Sequence, residues 1–246
     1  GLCRSGQIQV VDHQEIFRNY QQYLPTFNSL SIESMLWNIK GISNHFIYLN
    51  DDFFFNQQSD LSDFLIDGQM VIYGHWQATL IKKMKYIFRK FLQQNFGMVA
   101  EAKYSTAQML SADRVGMTRY YEIHHRPHIL SRDLLSTYFK NNKELLDQQI
   151  QFKFRNIDQL LPVGLSNHLA IQSDQAILKD DIDIAYLKDG RDLEKFILAL
   201  SNSEIKFGCI QSLDQLESLA EGRIRAALIQ KFTGFLPSQI QPTTVV

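Results

Sequence analysis

The chain has 246 residues, and its 25 Lys and Arg against 26 Asp and Glu give a formal net charge of −1. That balance excludes a protein held to nucleic acid chiefly by net charge, and a composition 45% hydrophobic and 12% aromatic against 21% charged excludes intrinsic disorder. No apolar run approaches the roughly 18 residues that a membrane-spanning helix needs, and Cys3 and Cys209, the two cysteines, offer neither a disulfide framework nor a CxxC metal spacing.

Few cysteines and no Asn-x-Ser/Thr sequon point to a reducing cytoplasm. The opening Gly1-Leu2-Cys3-Arg4 lacks an initiator Met and an apolar signal core, so the sequence reads as part of a longer chain. Gln7 to Val11 alternates polar and apolar residues, the pattern of a short strand ending at Asp12-His13. Ile32, Met35, Leu36 and Ile39 then fall on one helical face, with Asn28 or Ser29 as its cap, Glu33 near its positive end and Gly41 as its stop. The apolar run Phe46 to Leu49 predicts a buried strand, preferably parallel, that stops at Asn50-Asp51-Asp52 before Phe53-Phe54-Phe55.

Trp76 to Phe91 reads as an amphipathic helix with a basic face, part of a helical insertion around 76–112. Further helical patterns cover Ser131–Leu146, Ile157–Ile171, Asp192–Leu200 and Leu213–Lys231, with a short strand over Ile205–Ile210. Few prolines and no repeat argue for a single domain over 1–246. The alternation predicts an α/β fold, a Rossmann-like mostly parallel sheet flanked by helices and rich in them.

Three groups of residues can carry chemistry. Asp51 and Asp52, with Asn50, stand where open α/β sheets bind ligands, and adjacent carboxylates suit Mg²⁺ or Mn²⁺, hard cations that bridge phosphates; the other reading is a polar turn. His124, His125 and His128 put three of the chain's seven histidines within five residues. Imidazole titrates near neutrality and so can take a proton from a hydroxyl, whereas Pro127 argues against a helical metal pair; the other reading is a surface loop. Arg155 alternates with Phe152 and Phe154, and its two-pronged guanidinium can clamp a phosphate or simply be solvated, with Asp158 capping the next helix. The basic face over 82–90 reads as a solvated surface, or as a contact for an anionic polymer or the cytoplasmic leaflet of a membrane.

Leu24-Pro25-Thr26-Phe27-Asn28-Ser29 with Ile32-Glu33, and then Phe46 to Asp52, resembles the second conserved region of the Stealth family of sugar-1-phosphate transferases, which includes bacterial capsular polysaccharide phosphotransferases and the animal GlcNAc-1-phosphotransferase. Val10 to His13 and Ile16-Phe17 fit the lead-in to that region. His125-Arg126-Pro127-His128 resembles the third region, Arg155 with Asp158 the fourth, and Lys206 to Cys209 and Phe235 to Ser238 looser C-terminal features. The family's first region, a strand ending in a Tyr-Thr-Trp-Val-Asp/Asn type motif, has no counterpart here, so either the chain lacks part of the active site or another stretch of polypeptide supplies it.

The resemblance implies that an acceptor hydroxyl attacks the sugar-proximal phosphorus of a nucleotide sugar, a UDP-hexose or UDP-N-acetylhexosamine such as UDP-GlcNAc, releasing UMP and leaving a phosphodiester in a capsular glycan. It implies His125 as the base, Asp51 and Asp52 as holders of Mg²⁺ or Mn²⁺, and Arg155 as the stabiliser of phosphate charge. Asn28, Ser29, Asn50, His128 and Asp158 would position donor or acceptor, Asp158 either by orienting Arg155 or by capping its helix. The expected partners are the UDP-sugar, a glycan acceptor and a peripheral contact with the inner membrane through 82–90, and no nucleic acid; the expected location is the bacterial cytoplasm, at the inner membrane where that contact forms. The competing readings are a metal-dependent glycosyltransferase, which would release UDP, and an inactive glycan-binding fragment.

Overall fold

A computed structural model describes residues 8–98 and 103–235. Unit 1 takes residues through 47, then 64–123 and 129–180; unit 2 takes 48–63, 124–128 and 181 onward. In chain order the helices are α1 (His13–Ile16), α2 (Ser29–Glu33), α3 (Thr79–Phe96), α4 (Tyr104–Arg114), α5 (Arg132–Asn141), α6 (Lys143–Ile150), α7 (Pro162–Gln172), α8 (Leu193–Ser201) and α9 (Ser218–Phe232). The strands are β1 (His45–Tyr48), β2 (Phe53–Phe55), β3 (Leu65–Ile66), β4 (Gln69–Tyr73), β5 (His75–Ala78), β6 (Arg119–Glu122), β7 (His128–Ser131), β8 (Ala176–Lys179), β9 (Ala185–Leu187) and β10 (Phe207–Ile210).

The fold is mixed α/β, as the alternation predicts, but the described strands do not form one mostly parallel sheet. They form four small ones, β1-β7, β2-β10-β9, β3-β4-β8 and β5-β6. Only β4–β8 and β9–β10 run parallel among the registers observed, while β3–β4, β5–β6 and β2–β10 run antiparallel. Strand length and burial supply the reason. A parallel sheet needs strands covered on both faces by crossover helices, yet Ile47 and Leu49 are exposed in the run read as a buried strand. The β9-α8-β10 segment is the compact crossover that does form.

Local chemistry moves several boundaries. Residues 8–12 are irregular, not a strand; Ile8 and Val10 are exposed, and Asp12 instead caps α1 by accepting from Gln14 N. Gln7 and Cys3 lie outside the described residues, as does the stretch 236–238. The helix expected through Ile39 breaks after α2, where Ser34 Oγ donates back to Leu30 O at 2.6 Å and Trp37 Nε1 donates to Ser34 O at 2.8 Å. Asn28 caps α2 through Leu30 N, as its residue type predicts. Trp76 belongs to β5, where it opposes Tyr121, so α3 starts at Thr79 and runs on to Phe96. Ser131 caps α5, Asn142 separates α5 from α6, and α7 begins at Pro162 rather than Ile157.

Unit 1 is built around α4 and α7, with Met109, Leu110, Leu135, Phe139, Ile150 and Leu165 in its core. A Cβ on Gly164 would stand 3.1 Å from Ser111 Oγ, so the small residue permits the close approach of these helices. Unit 2 packs Leu187, Phe196, Leu200 and Ile224 between its sheet and helices α8 and α9. Among the described residues no helix is long and apolar enough to cross a membrane.

Candidate active site

The sheet β2-β10-β9 of unit 2 sets three side chains in a row. Cys209 opposes Phe53 on one side and Tyr186 on the other, and directly opposed residues share a face. The register is held at the next position, where Gly208 opposes Phe54 and leaves the space its ring occupies; a Cβ there would stand 2.0 Å from the ring. His125 covers the row. Its ring lies parallel to Tyr186, 6.3 Å between centroids at 3°, and meets the edge of Phe53 at 6.3 Å and 63°.

Asp52 joins the same wall from the turn that precedes β2. Its carbonyl accepts from Ile210 N at 2.9 Å, and its Oδ2 accepts from the Cys209 thiol at 3.4 Å. Its Oδ1 is buried and has no hydrogen-bond partner among the described residues, a costly arrangement for a carboxylate. Burial, reinforced by the Asp52 charge and hydrogen bond, pushes the Cys209 thiol far above its ordinary range and keeps it protonated. The Tyr186 hydroxyl is raised as well, first by burial and then by its acidic neighbours Cys209, Asp52 and Asp192, and it donates to Gln211 Oε1 at 2.7 Å. Asp51 beside it is exposed, and Asn50 accepts from the Tyr48 hydroxyl.

His128 is part of the scaffold of this wall. It is buried, its Nε2 lies 3.0 Å from His124 O, and its ring meets Phe53 edge-on at 6.5 Å. Burial, and after it the charge of Arg126, holds it well below the usual imidazole range, so it is neutral at pH 7 and Nε2 carries the proton donated to the carbonyl. His124 pairs instead with Asp181 at 3.5 Å.

The other predicted residues belong to unit 1, where the loop before α2 lies along the loop 152–159. Phe27 N donates to Lys153 O at 3.0 Å, and the buried Asn28 amide donates to Phe152 O, Phe154 O and Gln159 Oε1 at 2.9 to 3.1 Å. All of its polar capacity is thus spent within the fold. The clamp leaves an exposed guanidinium, Arg155, with Nη2 donating to Ser29 Oγ at 3.0 Å, beside the stacked exposed rings of Phe27 and Phe154. Asp158 neither orients Arg155 nor caps α7. It accepts from Tyr86 at 2.6 Å and Lys90 at 2.9 Å, tying down α3.

Asp52, His125 and His128 therefore meet in one wall of unit 2, and Asn28, Ser29 and Arg155 in one loop pair of unit 1. Sequence reasoning missed Tyr186, Phe53 and Gln159 as parts of these sites. Cys209 carried a signal, as one of two cysteines in a predicted strand; Tyr186, in a three-residue strand, carried none.

Residues 3–72 match the family model described as Stealth protein CR2, conserved region 2. The chain is 30% identical over 193 residues to an exopolysaccharide phosphotransferase of Streptomyces coelicolor, covering 74% of this chain and 29% of that protein. It is 28% identical over 181 residues to a capsular polysaccharide phosphotransferase of Neisseria meningitidis serogroup A, covering 71% and 30%. An exopolysaccharide phosphotransferase of Lactiplantibacillus plantarum is 44% identical over 61 residues, covering 25% and 18%. The chain thus spans less than a third of the length of these relatives. The match to the second region covers the Asn28 loop and the Asp51-Asp52 turn, and the longer alignments extend the likeness over most of the sequence: the chain belongs to the Stealth protein family.

Proposed function

We propose that the chain contributes the catalytic wall of a polysaccharide phosphotransferase. An acceptor glycan hydroxyl attacks the sugar-proximal phosphorus of a UDP-hexose or UDP-N-acetylhexosamine; a phosphorus–oxygen bond to the acceptor forms, the bond to UMP breaks, and a sugar-1-phosphate is left in phosphodiester linkage. His125 takes the hydroxyl proton. Its ring is held flat on Tyr186 and against Phe53, so its orientation is preset. The buried Oδ1 of Asp52 in that same wall, without a hydrogen-bond partner among the described residues, is the observation that carries the reading. With the exposed Asp51 alongside, it fits an oxygen-ligated divalent cation, Mg²⁺ or Mn²⁺, which when bound would neutralise pyrophosphate charge. Arg155 offers its exposed guanidinium to a phosphate in unit 1.

The test is the nucleotide that this chain releases from UDP-GlcNAc and other UDP-sugars with Mg²⁺ and a short glycan acceptor. UMP released in step with acceptor supports sugar-1-phosphate transfer. UDP would assign glycosyl transfer, and no release of nucleotide from any donor would leave a glycan-binding role.

A further inference from the structure

Helix α3 is amphipathic with the ordinary arrangement reversed. Over Thr79–Phe96 it carries five cations and no acid. Three of the cations turn toward the rest of unit 1: Lys82 meets Glu122 at 3.2 Å, Lys83 meets Asp113 at 2.5 Å and Lys90 meets Asp158 at 2.9 Å. The apolar stripe faces outward. Leu80, Ile81, Met84, Ile87, Phe88 and Phe91 recur at helical spacing, and each is more than half exposed. Isolated exposed apolar residues are common, but a contiguous stripe of six on one helix marks an interaction surface. Lys85, itself exposed, and Arg89 remain outside those ion pairs on the same helix.

We infer that this face of α3 is a docking surface for an anionic lipid bilayer, with the apolar stripe inserted at the headgroup boundary and Lys85 and Arg89 meeting lipid phosphates. Charge selects the occupant. A second copy of α3 laid on the first would bring Lys85 and Arg89 of both copies together with no acid on either helix to offset them, which like-charge repulsion opposes, whereas an anionic leaflet complements both the stripe and these two cations. The contact differs from the one expected from the sequence, where the basic face itself was to touch the membrane: most of that face is neutralised inside the fold, and the apolar residues lead. The inference is independent of the phosphotransferase reading, since it needs no turnover.

The test is co-sedimentation of the chain with vesicles of phosphatidylcholine alone and of phosphatidylcholine with phosphatidylglycerol. Binding is expected to the anionic vesicles and to weaken with salt. I87S, F88S and F91S should each reduce partitioning on the order of tenfold, and K85Q with R89Q together by about 25-fold; all five positions lie outside the core, and circular dichroism checks that the helix persists. Equal binding of wild type and the apolar variants, or no binding to anionic vesicles at low salt, overturns the inference. So does a self-association, seen by sedimentation velocity, that the same variants abolish while vesicles are ignored; that result would give the face to a second copy.

Discussion

Acid should weaken unit 1 through one buried histidine. His168 on α7 is fully buried; its Nδ1 donates to Gly164 O at 2.6 Å and its Nε2 accepts from Tyr121 N at 2.9 Å. A proton on Nε2 would face that N–H, and burial alone already disfavours the cation, so the pKa falls from 6.5 to about 4. The unfolded chain therefore binds the proton between these two values while the folded one does not, and stability from this group is intact above the unfolded pKa and lost as pH falls toward the folded one. With those two pKa values, the loss between pH 7 and pH 5 is about 2 kcal/mol, a shift of roughly 1 M in a urea midpoint. Both tryptophans, Trp37 and Trp76, lie in unit 1, so their fluorescence reports the relevant unfolding. In His168→Gln the difference between the two pH values should shrink by that amount, whatever the variant's absolute stability. An unchanged pH difference would refute the assignment of the neutral, doubly bonded imidazole.

Three further outcomes are expected. Asp52→Asn should lower Mg²⁺-dependent UDP-sugar affinity at least tenfold by calorimetry while leaving the urea midpoint followed by circular dichroism unchanged; equal Mg²⁺ dependence in the variant would remove Asp52 as a ligand. His125→Ala should cut transfer by roughly a hundredfold to ten-thousandfold with donor affinity held within about twofold, and a parallel loss of donor affinity would show that it is not the base. Asn28→Ala removes an N-cap and leaves buried carbonyls without donors, so unit 1 should lose about 3 kcal/mol in urea unfolding; a loss confined to donor binding would instead make Asn28 a substrate ligand.

The sequence made some elements legible because local rules decide them. Asn28 and Ser131 cap helices at the positions their side chains favour, and α8 and β10 fall within a residue or two of their patterns. Where tertiary partners decide, the patterns mislead. The alternation at residues 8–11 found no strand partner, Trp76 joined a hairpin through Tyr121 rather than opening α3, and Ser34 and Trp37 diverted a helix by bonding its last carbonyls. The apolar run at 46–49 had the composition of a central strand, but Ile47 and Leu49 are exposed, β1 lies in a two-stranded sheet, and the described strands do not form the mostly parallel sheet expected from the pattern.

The candidate site divides along the same line. That Asp52, His125 and Arg155 have the chemistry for phosphoryl transfer is a matter of residue type, but that Asp52 and His125 share a wall depends on β10, which pairs antiparallel with β2 and parallel with β9. A slip of one residue in either register would send Cys209 to the opposite face from Phe53 or Tyr186, removing both the thiol that holds Asp52 Oδ2 and the ring pair that holds His125. The contact that fixes one of these registers is Phe54 over Gly208, and no periodicity marks it, because β2 and β9 have three residues each. Strands that short carry almost no pattern of their own, so the side chains with the chemistry are readable one by one while the geometry joining them resides in a glycine and an aromatic ring 154 positions apart.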